Sequence, residues 1–248
     1  MLGILGVQKT IHLRNRVTVD DMILNGVKPW LISKEDEQSN LTALNSFRMF
    51  HNCSPSLVIN GQREGIVMEQ IQNSLKEVTE RLSKRSQDEN YEMYQKKRLN
   101  QKSSREQILS KFKFRNDNEG NKQGEKTYQN SRNVVIFTGR ALVEILRDQA
   151  MEKSFMTLAY MCDLMVGSEV SPLQKQNLIR IVKSYIGEAE YVAAIVATSE
   201  DQFMVNEADI VANFTTNRNS TDFIAVSDVT FKDFSAISYL LFKHGNQI

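Results

Sequence analysis

The 248-residue chain has few of the residues that build disulfides and metal centres. Its two cysteines, Cys53 and Cys162, cannot form a disulfide framework, and such sparse use is typical of a reducing compartment. Its three histidines, His12, His51 and His244, are far apart, and no cysteine or carboxylate lies at metal-ligand spacing from them. We therefore expect the histidines to be surface or packing residues, and no zinc site is predicted.

The chain also lacks a strong charge of either sign and a long apolar run. Its formal net charge of +1 argues against a dedicated nucleic-acid binder, which concentrates basic residues. The densest apolar run, residues 191–197, is far shorter than the roughly 20 residues that cross a bilayer. The N-terminus has no signal-peptide pattern, and residues 2–7 are typical of a buried strand. We therefore expect a cytosolic piece of a longer protein.

Short apolar, β-branched runs alternate with segments of helical period along most of the chain. Because these runs are mostly apolar at every position, they are typical of strands buried on both faces of a parallel sheet. Strands that alternate with helices predict repeated βαβ units and an α/β fold. The predicted strands are residues 4–7, 30–32, 57–59, 134–138, 164–167, 193–197, 210–214 and 223–226.

Several helix ends have recognisable signals. Thr18 is predicted to cap a helix that Gly26 stops. A second helix is predicted to start at Ser171, with Pro172 at its first position and Gln174 placed to complete a capping box. Apolar residues at helical spacing, Phe234, Ile237 and Leu241, predict a last helix that ends in Lys-His-Gly at 243–245.

One stretch, about residues 60–132, departs from this pattern because it is polar and rich in Gln, Asn, Lys, Glu and Ser. Its first part carries an apolar stripe at helical spacing and predicts a docked or paired helix. Its second part has little periodicity and is predicted to be a mobile insertion. The predicted organisation is therefore one α/β domain over residues 1–248, interrupted by this insertion.

The helix start at Ser171 is the best candidate for a ligand site. It follows a predicted strand, and the carboxyl edge of a parallel sheet is where ligands bind. Helix-start amides attract anions, and Lys175 adds a positive charge in the first turn, so a phosphate group could be held there. The alternative is a well-capped helix with an exposed lysine. No P-loop, dinucleotide fingerprint or Gly-x-Ser-x-Gly elbow is found elsewhere.

Residues 170–175, Val-Ser-Pro-Leu-Gln-Lys, resemble a helix start of type IV P-type ATPases, the phospholipid flippases. Other segments resemble that family in the same order, and they span nearly the whole chain apart from the polar insertion. They are Leu-Gly-Val at 5–7 with the helix running to Gly-Val-Lys at 26–28, Trp-Leu-Ile at 30–32, residues 134–142, Glu-Ala-Asp-Ile at 207–210, and residues 231–245, which lead to a His-Gly.

The resemblance implies a haloacid-dehalogenase-like phosphorylation domain. Its fold is a doubly wound, mostly parallel sheet with helices on both faces, here with a polar, partly helical insertion. In that family an aspartate of an Asp-Lys-Thr-Gly-Thr motif accepts a phosphoryl group from Mg-ATP. No Asp-Lys-Thr-Gly occurs in this chain, and the family carries it upstream of the matching region.

The family's Thr-Gly-Asp-Lys loop corresponds here to Ser33, Lys34, Glu35 and Asp36. Ser33 keeps a hydroxyl and Glu35 keeps a carboxylate. Lys34, however, replaces a glycine that lets the backbone approach a phosphate, and Asp36 reverses the sign of a lysine.

The family's Gly-Asp-Gly-x-Asn-Asp loop corresponds to residues 196–201. Ala197 replaces the aspartate that holds the metal, Glu200 replaces the asparagine, and Asp201 matches. Glu169 stands where the family has a basic residue before Val170. A site that must hold Mg²⁺ and a phosphoryl group has thus lost a carboxylate ligand, loop glycines and positive charge.

The resemblance and these departures predict a pseudoenzyme domain with no catalytic residue of its own. Lys175, Ser33, Glu35 and Asp201 are the implied nucleotide-binding residues, and Asp201 is the implied metal ligand, with Mg-ATP binding weak or lost. The implied partners are the remaining domains and membrane helices of a flippase-like parent, at the cytoplasmic face of a membrane, and a regulatory protein; no nucleic acid is expected. An active phospholipid-translocating ATPase and a free-standing protein-interaction domain are the alternatives, and fusion of the parent to a guanylyl cyclase stays open.

Overall fold

The computed structural model describes residues 13–46, 57–63, 65–86, 132–187, 190–214 and 226–244, which form an α/β fold. Every strand pairing within these residues is parallel. The larger sheet has the order β2-β3-β4-β1 and the smaller sheet the order β5-β6-β7. The strands are β1 (Trp30–Ile32), β2 (Leu57–Ile59), β3 (Val134–Thr138), β4 (Leu164–Ser168), β5 (Ala193–Val196), β6 (Ile210–Phe214) and β7 (Val229–Phe231).

Helices flank these sheets, as the alternating pattern predicts. They are α1 (Leu13–Leu24), α2 (Glu37–Ser46), α3 (Ile66–Ser86), α4 (Gly139–Ile145), α5 (Gln149–Met161), α6 (Pro172–Tyr185), α7 (Gln202–Val205) and α8 (Ala236–Tyr239), with a 3-10 turn at Ser199–Asp201 and a π turn at Leu240–His244. Among the residues described, no helix is long and apolar enough to cross a bilayer. The predicted parallel α/β architecture is confirmed, and it is compatible with a haloacid-dehalogenase-like fold.

Two of the sequence predictions are wrong in detail. Thr18 does not cap a helix, because α1 begins five residues earlier and Thr18 lies buried inside it. Val226 lies in a turn, and the strand of this region is β7, whose Phe231 packs on Phe214 of β6. Residues 4–7 and 223–225 lie outside the described residues, whereas the remaining strands lie within one residue of their predicted ends.

The front face of the larger sheet carries the main core. Phe137 of β3, Phe155 of α5 and Trp30 of β1 meet edge to face, with ring centroids 5.3 to 6.2 Å apart. Such aromatic pairs add to the free energy already gained by burying the rings. Helix α3 also packs here, since Val67, Ile71 and Val78 have no exposed surface. The first part of the polar stretch therefore forms a docked helix, while residues 87–131 lie outside the described residues.

Two helices connect the sheets, one on each face. On the back face, Val19 of α1 packs on the larger sheet and Met22 packs on the smaller one. On the front face, Leu178 of α6 lies in the main core, and its neighbour Ile179 packs on β5 and β6. Helix α2 lies on the back face, through Leu44. These contacts hold the carboxyl ends of both sheets at one edge of the domain.

Candidate functional site at the carboxyl edge

Helix α6 starts at the carboxyl edge of β4 with the capping box that the sequence predicts. The Ser171 hydroxyl accepts a hydrogen bond from the Gln174 amide, and the Gln174 side chain accepts one from the Ser171 amide. The Gln174 side chain also donates to the carbonyl of Gly139, 2.6 Å away. The capping box thus satisfies helix-start donors that an anion would otherwise bind.

Gly139 lets this loop approach β3 closely. A Cβ atom at Gly139 would lie 2.1 Å from the carbonyl oxygen of Glu169, a distance that no side chain tolerates. Glu169 itself has a φ of 55°, in the left-handed region that non-glycine residues rarely occupy. The segment before α6 is therefore held tightly against the start of α4.

Lys175 is buried and forms an ion pair with Asp201, so the alternative of an exposed lysine is wrong. Its Nζ lies 2.6 Å from Oδ1 of Asp201, and the side chains are 6% and 12% exposed. Burial raises the pKa of Asp201, but hydrogen bonds from Lys175 and from backbone amides outweigh this effect and hold the pKa below its ordinary value of 3.8. The Asp201 carboxylate is therefore charged at neutral pH, and Lys175 is its partner in the ion pair.

The second carboxylate oxygen of Asp201 is also in use. Oδ2 accepts hydrogen bonds from the amides of Ala197 and Thr198, both at 3.1 Å, and from the Thr198 hydroxyl at 3.2 Å. Asp201 thus closes the turn that follows β5. A metal ion would have to displace these donors, and Ala197, which stands at the metal-ligand position of the resembled motif, offers no side-chain oxygen.

The loop after β1 is bound to the loop after β4 through its backbone. The amide of Val170 donates to the Ser33 carbonyl at 3.0 Å, and the amide of Glu169 donates to the Glu35 carbonyl at 2.9 Å. The Ser33 hydroxyl accepts from the Glu35 amide, while the Glu35 side chain is exposed. The structure therefore places both predicted residues at the carboxyl edge, with the Ser33 hydroxyl already used within its own loop.

Asp36 and Lys34, which depart from the resembled motif, have structural partners. Asp36 caps α2 by accepting hydrogen bonds from the amide and hydroxyl of Ser39, and the hydroxyl bond lowers the pKa of this carboxyl. Lys34 Nζ lies 2.6 Å from Glu200 Oε1, which connects the loop after β1 to the turn after β5. The negative charge that Glu200 brings to the edge is thus offset by Lys34.

Other polar side chains of this edge were not predicted from the sequence. The Asn40 amide donates to the buried Ser168 hydroxyl at 2.9 Å, and the Thr138 hydroxyl donates to the Asn60 carbonyl at 2.8 Å. Thr138 also caps α4. Thr138 and Ser168 could have been predicted to lie at this edge, because each is the last residue of a strand. Their hydrogen-bond partners could not, because these lie 78 residues from Thr138 and 128 residues from Ser168.

Mg-ATP does not fit the edge as the described residues form it. Lys175 and Asp201 form an ion pair with each other. The side chains of Ser33 and Asp36 accept hydrogen bonds from residues of their own loops. In the described parts of the chain no group of three or more His, Cys, Asp or Glu side chains is arranged to hold a metal ion. This arrangement connects the loops to one another, and within the described residues Lys175, the buried cation of the edge, is paired with Asp201.

The chain matches no protein-family model. It is 22% identical over 252 aligned positions to the guanylate cyclase of Toxoplasma gondii, which covers 98% of this chain and 5% of that protein. It is 30% identical over 113 residues to the probable phospholipid-transporting ATPase 5 of Arabidopsis thaliana, covering 46% of this chain and 9% of that protein. It is 28% identical over 112 residues to the phospholipid-transporting ATPase VD of Homo sapiens, covering 45% and 8%.

The chain therefore spans less than a tenth of the length of each of these three relatives. Slightly under half of it aligns at 28 to 30% identity with segments of these two phospholipid-transporting ATPases, and nearly all of it aligns at 20 to 22% identity with segments of the guanylate cyclase and of the phospholipid-transporting ATPase VD of Mus musculus. These similarities support a relationship to the P-type ATPase family and a place within a larger protein.

Proposed function

We propose that the chain is a degenerate phosphorylation-type domain of a longer flippase-like P-type ATPase, with a regulatory or scaffolding role and little or no ATP turnover. The observation that carries this proposal is the buried Lys175–Asp201 ion pair. In an active domain a lysine and a carboxylate at this edge would face nucleotide and metal. Here each has a protein partner at hydrogen-bond distance, and Asp201 accepts from the following turn as well.

The charges around the pair support the same conclusion. Phosphoryl transfer depends on positioning and on positive charge that offsets the transferring group. Lys34, an exposed cation of the edge, is paired with Glu200, and Glu35 and Glu169 are exposed carboxylates of neighbouring loops. A nucleotide would have to break an ion pair and approach these carboxylates, which costs binding free energy.

A fold that stays intact without turnover can still transmit a partner's binding free energy, provided the partner binds two conformations differently. We place this domain at the cytoplasmic face of a membrane, in contact with the remaining domains and membrane helices of its parent and with a regulatory protein. Because one of the relatives that align with nearly the whole chain is a guanylate cyclase, a parent that also carries a cyclase is the second candidate.

Calorimetric titration of the purified chain with ATP and Mg²⁺ tests the loss of nucleotide binding. We expect no binding tighter than about 1 mM, the upper end of the ordinary range for enzyme substrates. The informative variants are Lys175→Met and Lys183→Met, since Lys183 lies on the same helix and forms an exposed pair with Asp209. Magnesium-dependent binding in the micromolar range that is lost in Lys175→Met and kept in Lys183→Met would favour the active ATPase instead.

A variant in which motif residues are put back tests for a gain of Mg-ATP binding. Ala197→Asp, Thr198→Gly and Glu200→Asn, combined with Lys34→Gly, return the resembled motif residue at four positions of the two loops. If the departures from the motif cause the loss of nucleotide binding, this variant binds Mg-ATP more tightly than the wild type. The sequence of the full-length transcript separates the candidate parents, because a cyclase domain in the same reading frame favours the second, and a transcript that encodes this domain alone contradicts both.

A further inference from the structure

Within the described residues, three strands begin in the same way at the amino edge of the sheets. An aspartate directly precedes each of β4, β6 and β7, namely Asp163, Asp209 and Asp228. The amide of each aspartate donates to the carbonyl of one residue on the neighbouring strand at 2.9 Å, and its Oδ2 accepts the amide of that same residue at 2.8 Å. The residues bound in this way are Asn133 for Asp163, Val192 for Asp209 and Val211 for Asp228.

The ordinary hydrogen bonds of the larger sheet show what these carboxylates replace. In the parallel pair of β1 and β4, Ile32 lies opposite Gly167, so the next residue, Ser33, lies opposite Ser168. The Ser33 amide donates to the carbonyl of Gly167, one residue before the residue opposite it, at 2.9 Å. This offset is the slant of the hydrogen bonds in a parallel pair.

At the start of β4, the carbonyl that this offset requires has another donor. Asn133 lies opposite Asp163 in the register of β3 and β4, so its amide should donate to the carbonyl of Cys162. That carbonyl instead accepts a hydrogen bond from the Lys28 ammonium at 2.8 Å. The Asn133 amide donates to the Asp163 carboxylate, so a side-chain oxygen takes the place of a main-chain carbonyl.

The contact of Asp228 bears on the shortest of these strands, β7, which has three residues. A strand of this length makes few backbone hydrogen bonds, so its register depends on each of them. Because side chains alternate between the two faces, a slip of one residue would turn Phe231 away from Phe214 of β6, whose ring centroid is 5.5 Å away. Val211 is 4% exposed, and an amide left without an acceptor at a buried position is costly.

We propose that Asp163, Asp209 and Asp228 are strand-start clamps, which set the register of β4 on β3, of β6 on β5 and of β7 on β6. Each is a positioning residue, because its carboxylate stands in for a main-chain carbonyl and holds the amide of the neighbouring strand. Asp209 also uses its other oxygen, Oδ1, to pair with Lys183 of α6. The clamps lie at the end of the strands away from the candidate site, so they and the loss of ATP turnover can each fail independently.

Amide hydrogen exchange of the wild-type chain, followed by NMR, gives the first readout. We expect the amides of Asn133, Val192 and Val211 to be as protected as the amides two residues further along the chain, which belong to the paired strands. Exchange of all three at the rate of an unfolded chain, beside protected strand amides, would refute the clamps.

Two variants of Asp228 separate the acceptor from the charge. Asp228→Ala leaves the Val211 amide without its acceptor, so we expect its exchange to speed by about tenfold or more. Asp228→Asn removes the charge but keeps a side-chain oxygen within reach of that amide, so we expect a much smaller change. Nuclear Overhauser contacts between Phe214 and Phe231 report the register, and they should weaken in Asp228→Ala and persist in Asp228→Asn.

Asp209 allows the clamp to be separated from an ion pair. Asp209→Ala removes both contacts of the carboxylate, whereas Lys183→Met removes the ion pair alone. We expect Asp209→Ala to speed exchange of the Val192 amide and Lys183→Met to change it little. Glu190→Ala removes an exposed negative charge near the start of β5 and should leave the Val192 amide unchanged.

The proposal is overturned if Val211 exchanges at an unchanged rate in a folded Asp228→Ala variant. It is also overturned if Asp228→Asn speeds exchange as much as Asp228→Ala, because charge would then matter and not the acceptor. If Asp228→Ala unfolds the domain, the exposed clamp decides. An Asp209→Ala variant that exchanges Val192 no faster than Lys183→Met or Glu190→Ala then refutes the assignment.

Discussion

The Lys175–Asp201 pair predicts a large and specific coupling between two residues on different elements. Replacing Lys175 by Met leaves the Asp201 carboxylate in a nearly buried site with only backbone and hydroxyl donors. Replacing Asp201 by Asn leaves a 6%-exposed ammonium without its ion-pair partner. Breaking one half of a buried pair costs about 3 to 5 kcal/mol, and the remaining donors of Ala197 and Thr198 put each variant near the lower value.

The double variant Lys175→Met/Asp201→Asn removes both charges at once. The asparagine carbonyl can keep the hydrogen bonds from Ala197 and Thr198, so we expect a cost of about 3 to 4 kcal/mol instead of the sum of about 6, which is a coupling of about 2 to 3 kcal/mol. Urea unfolding followed by circular dichroism measures these values. A loss of about 3 kcal/mol lowers the urea midpoint by roughly 1 to 1.5 M.

The control pair is Lys183 and Asp209, which joins the same helix to the start of β6 but is 37% and 26% exposed. Its double-mutant cycle should give a coupling of no more than about 1 kcal/mol, because solvent screens an exposed pair. The reasoning is refuted if the Lys175–Asp201 coupling is no larger than that of the control, or if each single variant costs less than about 1 kcal/mol.

Three further predictions concern the same edge and the core beneath it. Gly139→Ala should cost about 2 to 3 kcal/mol in urea unfolding, since its Cβ meets the Glu169 carbonyl at 2.1 Å, whereas Gly187→Ala, with no atom within 4 Å, should stay within about 0.5 kcal/mol. Because the pKa of Asp201 in the folded state lies below 3.8, its carboxylate stabilises the fold above that pH. The difference in unfolding free energy between wild type and Asp201→Asn should therefore narrow as the pH falls below about 4. A difference that stays constant over this range contradicts the assignment. Burial raises the pKa of the Cys162 thiol to about 12, so iodoacetamide should leave this cysteine unmodified in the native protein at neutral pH, as peptide mass spectrometry would show.

Much of the fold follows from local patterns because apolar runs and helix caps are local signals. The runs at β3 and β6 match their strands residue for residue, and Ser171 caps α6 as predicted. Where a tertiary contact outweighs the local signal, the prediction fails. Thr18 has the chemistry of a cap, but Val19 and Met22 gain burial against both sheets when the helix continues through it. β7 is three residues long, and its place depends on Phe231 meeting Phe214.

At the candidate site, too, the sequence identified residues but not the residues that they contact. The motif loops identify Lys175 and Asp201, but nothing local indicates that they bind each other across 26 residues. Burial decides this, because a buried lysine needs a partner and the turn after β5 presents a carboxylate to it. Asn40 and Ser168 illustrate the point at longer range, since a hydrogen bond over 128 residues depends on the whole strand order.

The two departures Lys34 and Glu200 are best understood together. Taken alone, Lys34 replaces a glycine of one resembled motif, and Glu200 replaces an asparagine of the other. In the structure they form one ion pair across 166 residues, at the carboxyl edge of the two sheets. Reverting either one alone would leave an unpaired charge at that edge, so a lone glycine or a lone asparagine would not restore the motif's chemistry. The pair connects the loop after β1 to the turn after β5, so the two departures from the resembled motif together supply a link between the two sheets.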